Sequence, residues 1–230
     1  MGVCERNALV AQRRWTRVHD LEHARIRTDE QAMCMKAALC GFLAGDGNVV
    51  HRVEKMCERW KITFFPDDEV MLNTFEHFIH SIYDKRLTIT REKAYYYVQL
   101  TSKSTAIDLL ELGCFSMHNW RIPDFVLKNN YYLIAWIRAF FSAEGYVSDS
   151  VIRVQTVNKQ GMKQLSQALE SLHITNRTYT YTPKQSNHSQ VNIVIISHFA
   201  MRRRYKQLIG FWHDKKTQTL HKALHSKMEP

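Results

Sequence analysis

Apolar residues recur along the chain with two periods, one typical of helices and one typical of strands. From Asp67 to Tyr83 they fall three or four positions apart, which predicts a helix with one buried face. From Tyr95 to Thr101 they alternate with polar residues, which predicts a half-buried strand. The same patterns predict further helices at 102–112, 162–172 and 199–212, and further strands at 48–54, 59–65, 87–90, 146–150, 152–157, 177–182 and 191–197.

One short apolar segment occurs twice and divides the chain into two similar halves. Residues 39–47 read Leu-Cys-Gly-Phe-Leu-Ala-Gly-Asp-Gly, and residues 137–145 read Ile-Arg-Ala-Phe-Phe-Ser-Ala-Glu-Gly. Each copy predicts a helix and precedes the same run of elements, so each half reads α-β-β-α-β-β-α. We therefore predict a helical N-terminal extension at 1–30, a first repeat at 31–119, a linker at 120–130 in which Pro123 breaks any helix, a second repeat at 131–212, and a basic C-terminal tail at 213–230 that is helical to about His225.

Both copies end in an acidic residue followed by glycine, and an acidic residue is unfavourable at a helix C-terminus. A carboxylate in the last turn costs about 0.3–1 kcal/mol unless a cation offsets it. Small residues one turn apart would let the two helices pack backbone to backbone and bring Asp46 and Glu144 together. Two adjacent carboxylates ionise together only around a cation, and hard divalent ions such as Mg²⁺ take oxygen ligands. The small residues are Gly41, Ala44, Gly45, Ala139, Ser142 and Ala143.

These two segments resemble the paired nine-residue motifs of the LAGLIDADG homing endonucleases, in the single-chain form with two motifs. The first matches at Leu39, Gly41, Asp46 and Gly47, and the second is similar to the variant that ends Ala-Glu-Gly, here residues 143–145. The resemblance covers about residues 31–212. It implies an α+β fold of two pseudo-symmetric αββαββα repeats, with the motif helices packed at the centre and two antiparallel four-stranded sheets forming a DNA-binding saddle.

The resemblance also implies a metal site. Asp46 and Glu144 would be the catalytic, metal-binding carboxylates, and the carbonyls of Gly45 and Ala143 would complete the coordination. Mg²⁺ is the expected cofactor, with Mn²⁺ as a substitute and Ca²⁺ binding without cleavage. Paired divalent ions can activate a water and stabilise the leaving oxygen of a phosphodiester. Many members place a basic residue near the metals, and the candidates here are Lys61, Arg153 and Lys159.

Strand alternation and charge predict the surface that meets DNA. Thirty-two Lys and Arg residues against 22 Asp and Glu give a net charge of +10, which favours a polyanion partner. On the predicted strands one set of side chains faces the core and the other faces outward. The outward residues expected to contact DNA are Lys61, Thr63, Tyr95, Tyr97, Gln99, Arg153, Gln155, Arg177, Tyr179 and Tyr181.

The sequence thus predicts a monomeric, intron-encoded homing endonuclease: a hydrolase that breaks both strands of a long DNA target by metal-dependent phosphodiester hydrolysis. The alternative is an RNA maturase, with intron RNA as partner, or a non-cleaving DNA-binding regulator on the same fold. No membrane partner is expected, because the longest apolar run is too short to span one. Five cysteines without metal-ligand spacing indicate an intracellular, cytoplasmic protein with access to the nucleoid; an organelle or the nucleus stays open.

Overall fold

The computed structural model describes residues 14, 16–54, 57–92, 96–183 and 189–225. Residues 16–23 form a first helix, α1. The other helices are α2 (Glu30–Asp46), α3 (Glu69–Tyr83), α4 (Lys103–Leu112), α5 (Asp124–Leu127), α6 (Asn130–Glu144), α7 (Lys159–Ser171), α8 (Phe199–Leu208) and α9 (Asp214–His225). The strands are β1 (Gly47–Glu54), β2 (Cys57–Phe64), β3 (Thr88–Arg91), β4 (Tyr96–Leu100), β5 (Tyr146–Val147), β6 (Ile152–Thr156), β7 (Arg177–Tyr181) and β8 (Val191–Ile196).

The strands form two four-stranded antiparallel sheets with the same topology. The first sheet has the order β1-β2-β4-β3 and the second has the order β5-β6-β8-β7. In each sheet the strand that directly follows a motif helix is at one edge, next to its hairpin partner. The matching order confirms the predicted α+β class and the pseudo-symmetric repeat.

Helices α2 and α6 pack directly against each other at the centre of the molecule. Each begins at a side-chain cap, since the carboxylate of Asp29 accepts from the N–H of Ala32 and the amide oxygen of Asn129 accepts from the N–H of Tyr131. Every residue of α2 from Met35 to Ala44 is buried, and so are most residues of α6 from Leu133 to Ala143. Such all-round burial is expected of two helices enclosed by the rest of the fold.

Helices pack against both sheets: Phe75 of α3 stacks on Phe64 of β2, α4 contacts β1 and β2, and α7 contacts β6 and β8. Helix α3 buries Met71, Phe75 and Ile79, and α7 buries Met162, Leu165 and Leu169. The strand residues that face these helices, among them Ile62, Phe64, Ile152 and Val154, are almost fully buried. The predicted inward face of these strands is therefore confirmed.

The C-terminal region differs from the sequence prediction in its boundaries. The helix predicted at 199–212 ends at Leu208, because Gly210 takes a left-handed conformation (φ 68°) that stops it. The following segment turns back as α9, which buries Leu220, Ala223 and Leu224 against the body. In the linker, Pro123 precedes the short helix α5. Within the described ranges, no helix is long and apolar enough to cross a membrane.

Candidate functional site

The two motif helices end beside each other, which places their terminal carboxylates at one point. A Cβ atom on Gly45 would lie 2.7 Å from the Cβ of Ala143 and 3.3 Å from the Cγ of Glu144. Gly45 is adjacent to Asp46, the last residue of α2, and Glu144 is the last residue of α6. Both carboxylates are half-buried. The helix pair thus presents one acidic side chain from each repeat at its C-terminal end.

The electrostatics of this pair favour a cation. Burial and the nearby charge of Asp46 raise the pKa of Glu144 to about 7. Burial and the charge of Asp67 raise the pKa of Asp46 to about 6. Each carboxyl group therefore resists ionisation in a poorly solvated place, as expected for two acids that share a site. A bound cation would relieve this cost and hold both groups in their charged form.

A lysine from the C-terminal helix contacts the same point. The ammonium group of Lys216 donates to the carbonyl oxygens of Ser142 and Ala143, at 2.8 Å for Ala143. These carbonyls belong to the last turn of α6, where no backbone N–H is available to them. Burial lowers the pKa of Lys216, and the charges of Asp67, Asp46 and Glu144 oppose that shift. Lys216 is thus a largely enclosed cation beside the carboxylate pair.

The segment that carries Lys216 is anchored to the first repeat. The imidazole of His213 lies between two carboxylates, with Nε2 3.5 Å from an oxygen of Asp67 and Nδ1 3.1 Å from an oxygen of Asp68. The backbone N–H of Asp214 also donates to Asp68, at 3.1 Å. Burial alone would raise the pKa of Asp67, but the contact with His213 and the charge of Lys216 lower it. The C-terminal segment therefore bridges the two repeats at the site.

Trp212 fixes the start of this segment against both motif helices. Its ring packs on Phe42 of α2, with centroids 5.6 Å apart, and lies 5.2 Å from the guanidinium of Arg138 on α6. Its backbone N–H donates to the hydroxyl of Ser142 at 2.7 Å, and that hydroxyl donates to the carbonyl of Arg138. Ser142, a small residue of the second motif, therefore binds the C-terminal segment through its hydroxyl group.

The donor set at the site fits a hard divalent ion. Asp46 and Glu144 offer carboxylate oxygens, and the carbonyl of Ala143 already accepts from a cationic group. Oxygen ligands of this kind suit Mg²⁺, Mn²⁺ and Ca²⁺. Among the described residues, no cluster of three or more His, Cys, Asp or Glu side chains is arranged to hold a metal. Two carboxylates with backbone carbonyls are therefore the candidate ligands.

The predicted DNA-facing residues lie mainly on exposed strand surfaces. Lys61, Gln155, Arg177, Tyr179 and Tyr181 are exposed, and Tyr97, Gln99 and Arg153 are partly exposed. Tyr95 lies outside the described residues. Strand β7 is exposed on both faces, so Thr178 and Thr180 are not in the core as alternation would place them. It is an edge strand, paired only with β8 in its sheet.

Thr63 is less accessible than a DNA-contacting residue is expected to be, and its contact with DNA stays a prediction. This side chain is only 5% exposed. It lies on the central strand β2 and is in register with Asn48 on one side and Gln99 on the other. A short side chain between two longer ones is covered by them, although it lies on the outward face.

The three basic residues proposed from sequence lie on strands β2 and β6 and on helix α7, and their role at the metal site stays a prediction. Lys61 is three residue pairs along the β1–β2 hairpin from Gly47, or about 10 Å at 3.3 Å per residue. Lys159 begins α7, beyond the far end of β6. The guanidinium of Arg153 lies over the ring of Tyr146, 4.6 Å from its centre. Lys216 is the described lysine that the structure brings to the pair, whereas the sequence had predicted for the Lys215–Lys216 pair at most a contact with the phosphate backbone.

Comparison with known proteins agrees with this geometry. A family model described as the LAGLIDADG-like domain matches residues 132–210. Mesophilic variants of the homing endonuclease I-DmoI match with a TM-score of 0.65 and 18% identity over 78% of this chain and 97% of theirs. I-DmoI in complex with DNA and Ca matches with a TM-score of 0.63 and 18% identity over 78% and 91% of the two chains.

A more distant match extends over more of the chain. Full-length DUF199/WhiA from Thermatoga maritima matches with a TM-score of 0.58 and 9% identity, over 92% of this chain and 67% of its own. No curated protein matches the sequence. Identities this low establish the fold and leave the activity open. The chain has the two-motif LAGLIDADG fold of I-DmoI, and its residues 132–210 match the LAGLIDADG-like domain.

Proposed function

We propose that this protein is a site-specific DNA endonuclease of the homing type, which breaks both strands of a long target by metal-dependent hydrolysis. The observation that carries the proposal is the meeting of Asp46 and Glu144 at the joint end of the two motif helices, with raised pKa values that a bound cation would relieve. I-DmoI, which shares the fold, has been crystallised with DNA and Ca and with DNA and Mn.

The two carboxylates would hold the catalytic metal, together with the carbonyls of Gly45 and Ala143. When bound, a divalent ion supplies an activated water and stabilises the charge that develops on the phosphate oxygens. The protein contributes one carboxylate per repeat, which suits the cleavage of two strands related by the same pseudo-symmetry. The close contact at Gly45 keeps the two carboxylates at a fixed separation.

The outer faces of the two sheets would bind the DNA. Arg177, Tyr179 and Tyr181 on β7 and Gln155 on β6 extend from the second sheet, and Lys61 extends from the first. Arg and Lys recognise guanine in the major groove and Gln recognises adenine. A net charge of +10 supports binding to the phosphate backbone. One chain supplies both halves of this surface, so we propose that the protein acts as a monomer.

A maturase or a non-cleaving regulator would use the same surface without needing an ionised carboxylate pair. To separate these functions, wild-type protein and Glu144→Gln are incubated with Mg²⁺ and a plasmid library of randomised sites. We expect wild type alone to make double-strand breaks, all at one long sequence. If folded wild type binds DNA or RNA tightly but cuts with none of Mg²⁺, Mn²⁺ or Co²⁺, the endonuclease proposal is wrong.

A further inference from the structure

The ammonium group of Lys216 holds a carbonyl that the metal would need. Its two acceptors are the carbonyls of Ser142 and Ala143, and Ala143 is one of the two backbone ligands proposed for the metal. A carbonyl oxygen has two lone pairs, and the ammonium group at 2.8 Å takes one of them. A divalent ion on the other lone pair would lie roughly 4 Å from the ammonium nitrogen, so the two cations would repel each other and compete for this oxygen.

The position of Lys216 is determined by contacts outside the motif helices. The helix α9 is fixed by the burial of Leu220, Ala223 and Leu224, and its start is fixed by His213 and Asp214 against Asp68. Lys216 lies in the first turn of α9, and its side chain is only partly exposed. The whole segment lies beyond residues 132–210, which match the LAGLIDADG-like domain. The lysine is thus a feature of this chain's C-terminal segment.

Building on the proposed function, we propose that Lys216 is the resident cation of the site: it occupies the Ala143 carbonyl in the metal-free protein and must leave it when a divalent ion binds. In this role it neutralises part of the charge of Asp46 and Glu144 before metal arrives. It also lowers the affinity of the free protein for metal, since binding has to displace it. Lys216 is accordingly a positioning residue: metal binds only when the lysine moves away from the Ala143 carbonyl.

A purely structural role predicts a different result. The ammonium group of Lys216, placed at the C-terminus of α6, could simply cap the last carbonyls of that helix and interact favourably with its dipole. Loss of a cap would lower the stability of the protein, and loss of any positive charge near the pair would tighten metal binding. Only a competing cation also has to move when the metal binds. Tighter binding by the variant, together with exposure of Lys216 when metal binds to the wild type, therefore identifies a competing cation.

The experiment compares Lys216→Met with Lys215→Met in the full chain without DNA. Lys215 is the adjacent residue of α9 and is exposed, so its variant makes the same charge change away from the site. The midpoint of thermal unfolding is followed against Ca²⁺ concentration, which gives the dissociation constant because a ligand of the folded state stabilises it. The pH is 8.5, where Asp46 and Glu144 are ionised in the wild type.

We expect Lys216→Met to bind Ca²⁺ about tenfold more tightly than wild type. Lys215→Met should stay within about twofold, because an exposed charge contributes little. Adding Asp46→Asn to Lys216→Met should remove the gain. Equal or weaker binding by Lys216→Met would overturn the proposal.

A second measurement needs no variant at the lysine. Wild-type protein is acetylated briefly with and without saturating Ca²⁺, and mass spectrometry gives the ratio of modified Lys216 to modified Lys215. Displacement from the Ala143 carbonyl should raise this ratio, and an unchanged or lower ratio would contradict displacement. If Ca²⁺ stabilises wild type no more than it stabilises Asp46→Asn, the proposed metal site itself fails. If wild type binds Ca²⁺ at Asp46 and the lysine results are negative, only the present inference fails.

Discussion

The backbone of Gly41 lies directly against the backbone carbonyl of Trp136. A Cβ atom at Gly41 would overlap that carbonyl oxygen and would also lie 2.9 Å from the Cβ of Ala139. One turn later a Cβ atom at Gly45 would lie 2.7 Å from the Cβ of Ala143 and 3.8 Å from the carbonyl oxygen of Phe140. The motif helices therefore approach closely at both glycines, and this contact fixes where Asp46 and Glu144 emerge.

Gly41→Ala should destabilise the protein by about 1–3 kcal/mol, because the added methyl group can be accommodated only by separating the two helices. Urea unfolding measures the change. Gly113→Ala is the matched control, since its Cβ would have no neighbour nearer than 3.4 Å. A Gly41→Ala protein as stable as the control would contradict the backbone contact.

The carboxylate pair should make the metal-free protein less stable as the pH rises. The pKa of Glu144 is about 7 and that of Asp46 about 6, both above their ordinary values of 4.5 and 3.8. Between about pH 4 and 7 the folded state therefore binds more protons than the unfolded state, and these two groups lower the free energy of unfolding over that range.

Glu144→Gln should consequently be more stable than wild type at pH 8 in EDTA, by about 1–3 kcal/mol, with no gain at pH 4. Urea titrations at the two pH values measure the difference. Added Ca²⁺ should reduce the gain at pH 8, because the ion binds the charged wild-type pair. A gain in stability that is the same at both pH values would show that ionisation of the pair does not destabilise the folded protein.

Trp212→Ala should destabilise the protein by about 2–4 kcal/mol. The ring packs on Phe42 and Phe78 and fixes the segment that bridges the two repeats. Tyr131→Ala is the control, because Tyr131 is 75% exposed. Thermal unfolding measures both, and equal effects would mean that the C-terminal segment is not part of the stabilised core.

On the proposed DNA surface, Arg177→Ala should weaken binding to the target. Because it removes one positive charge that faces the DNA, it should also make the slope of log affinity against log salt concentration shallower by about one. Fluorescence anisotropy in Ca²⁺ at several NaCl concentrations gives the slope. Lys128→Ala serves as the control, because Lys128 precedes the N-terminus of α6, about 20 Å of helix from Glu144. A reduced slope for Lys128→Ala alone would place the DNA on another surface.

The sequence was sufficient for the central helices and the inner strand faces, and the physical reasons are local. Small residues at Gly41 and Gly45 indicate that a second helix packs closely at these positions. Alternation places Ile62 and Phe64 on the buried face of their strand, and this does not depend on which strand pairs with it. Burial of Thr63 depends on its neighbours Asn48 and Gln99, which only the strand register determines. Alternation alone could not predict it.

Lys216 could not be assigned from the sequence because its position results from tertiary contacts. Its approach to Ala143 requires Gly210 to turn the chain, Trp212 to pack on Phe42, and His213 to meet Asp68. The turn at Gly210 is local, but the contacts of Trp212 and His213 are long-range and have no periodic signature. The one available signal was the apolar spacing of Leu220, Ala223 and Leu224, which indicates a packed helix but not what its first turn contacts.

The most direct test of the central claim is to measure binding and cleavage separately for Glu144→Gln on the target that wild type selects. We expect this variant to bind the DNA in Ca²⁺ as wild type does, since its surface is unchanged. With Mg²⁺, single-turnover cleavage should be slower by more than the roughly 10–100-fold that losing an indirect metal contact costs. Cleavage by Glu144→Gln at the wild-type rate would contradict the assignment of the site.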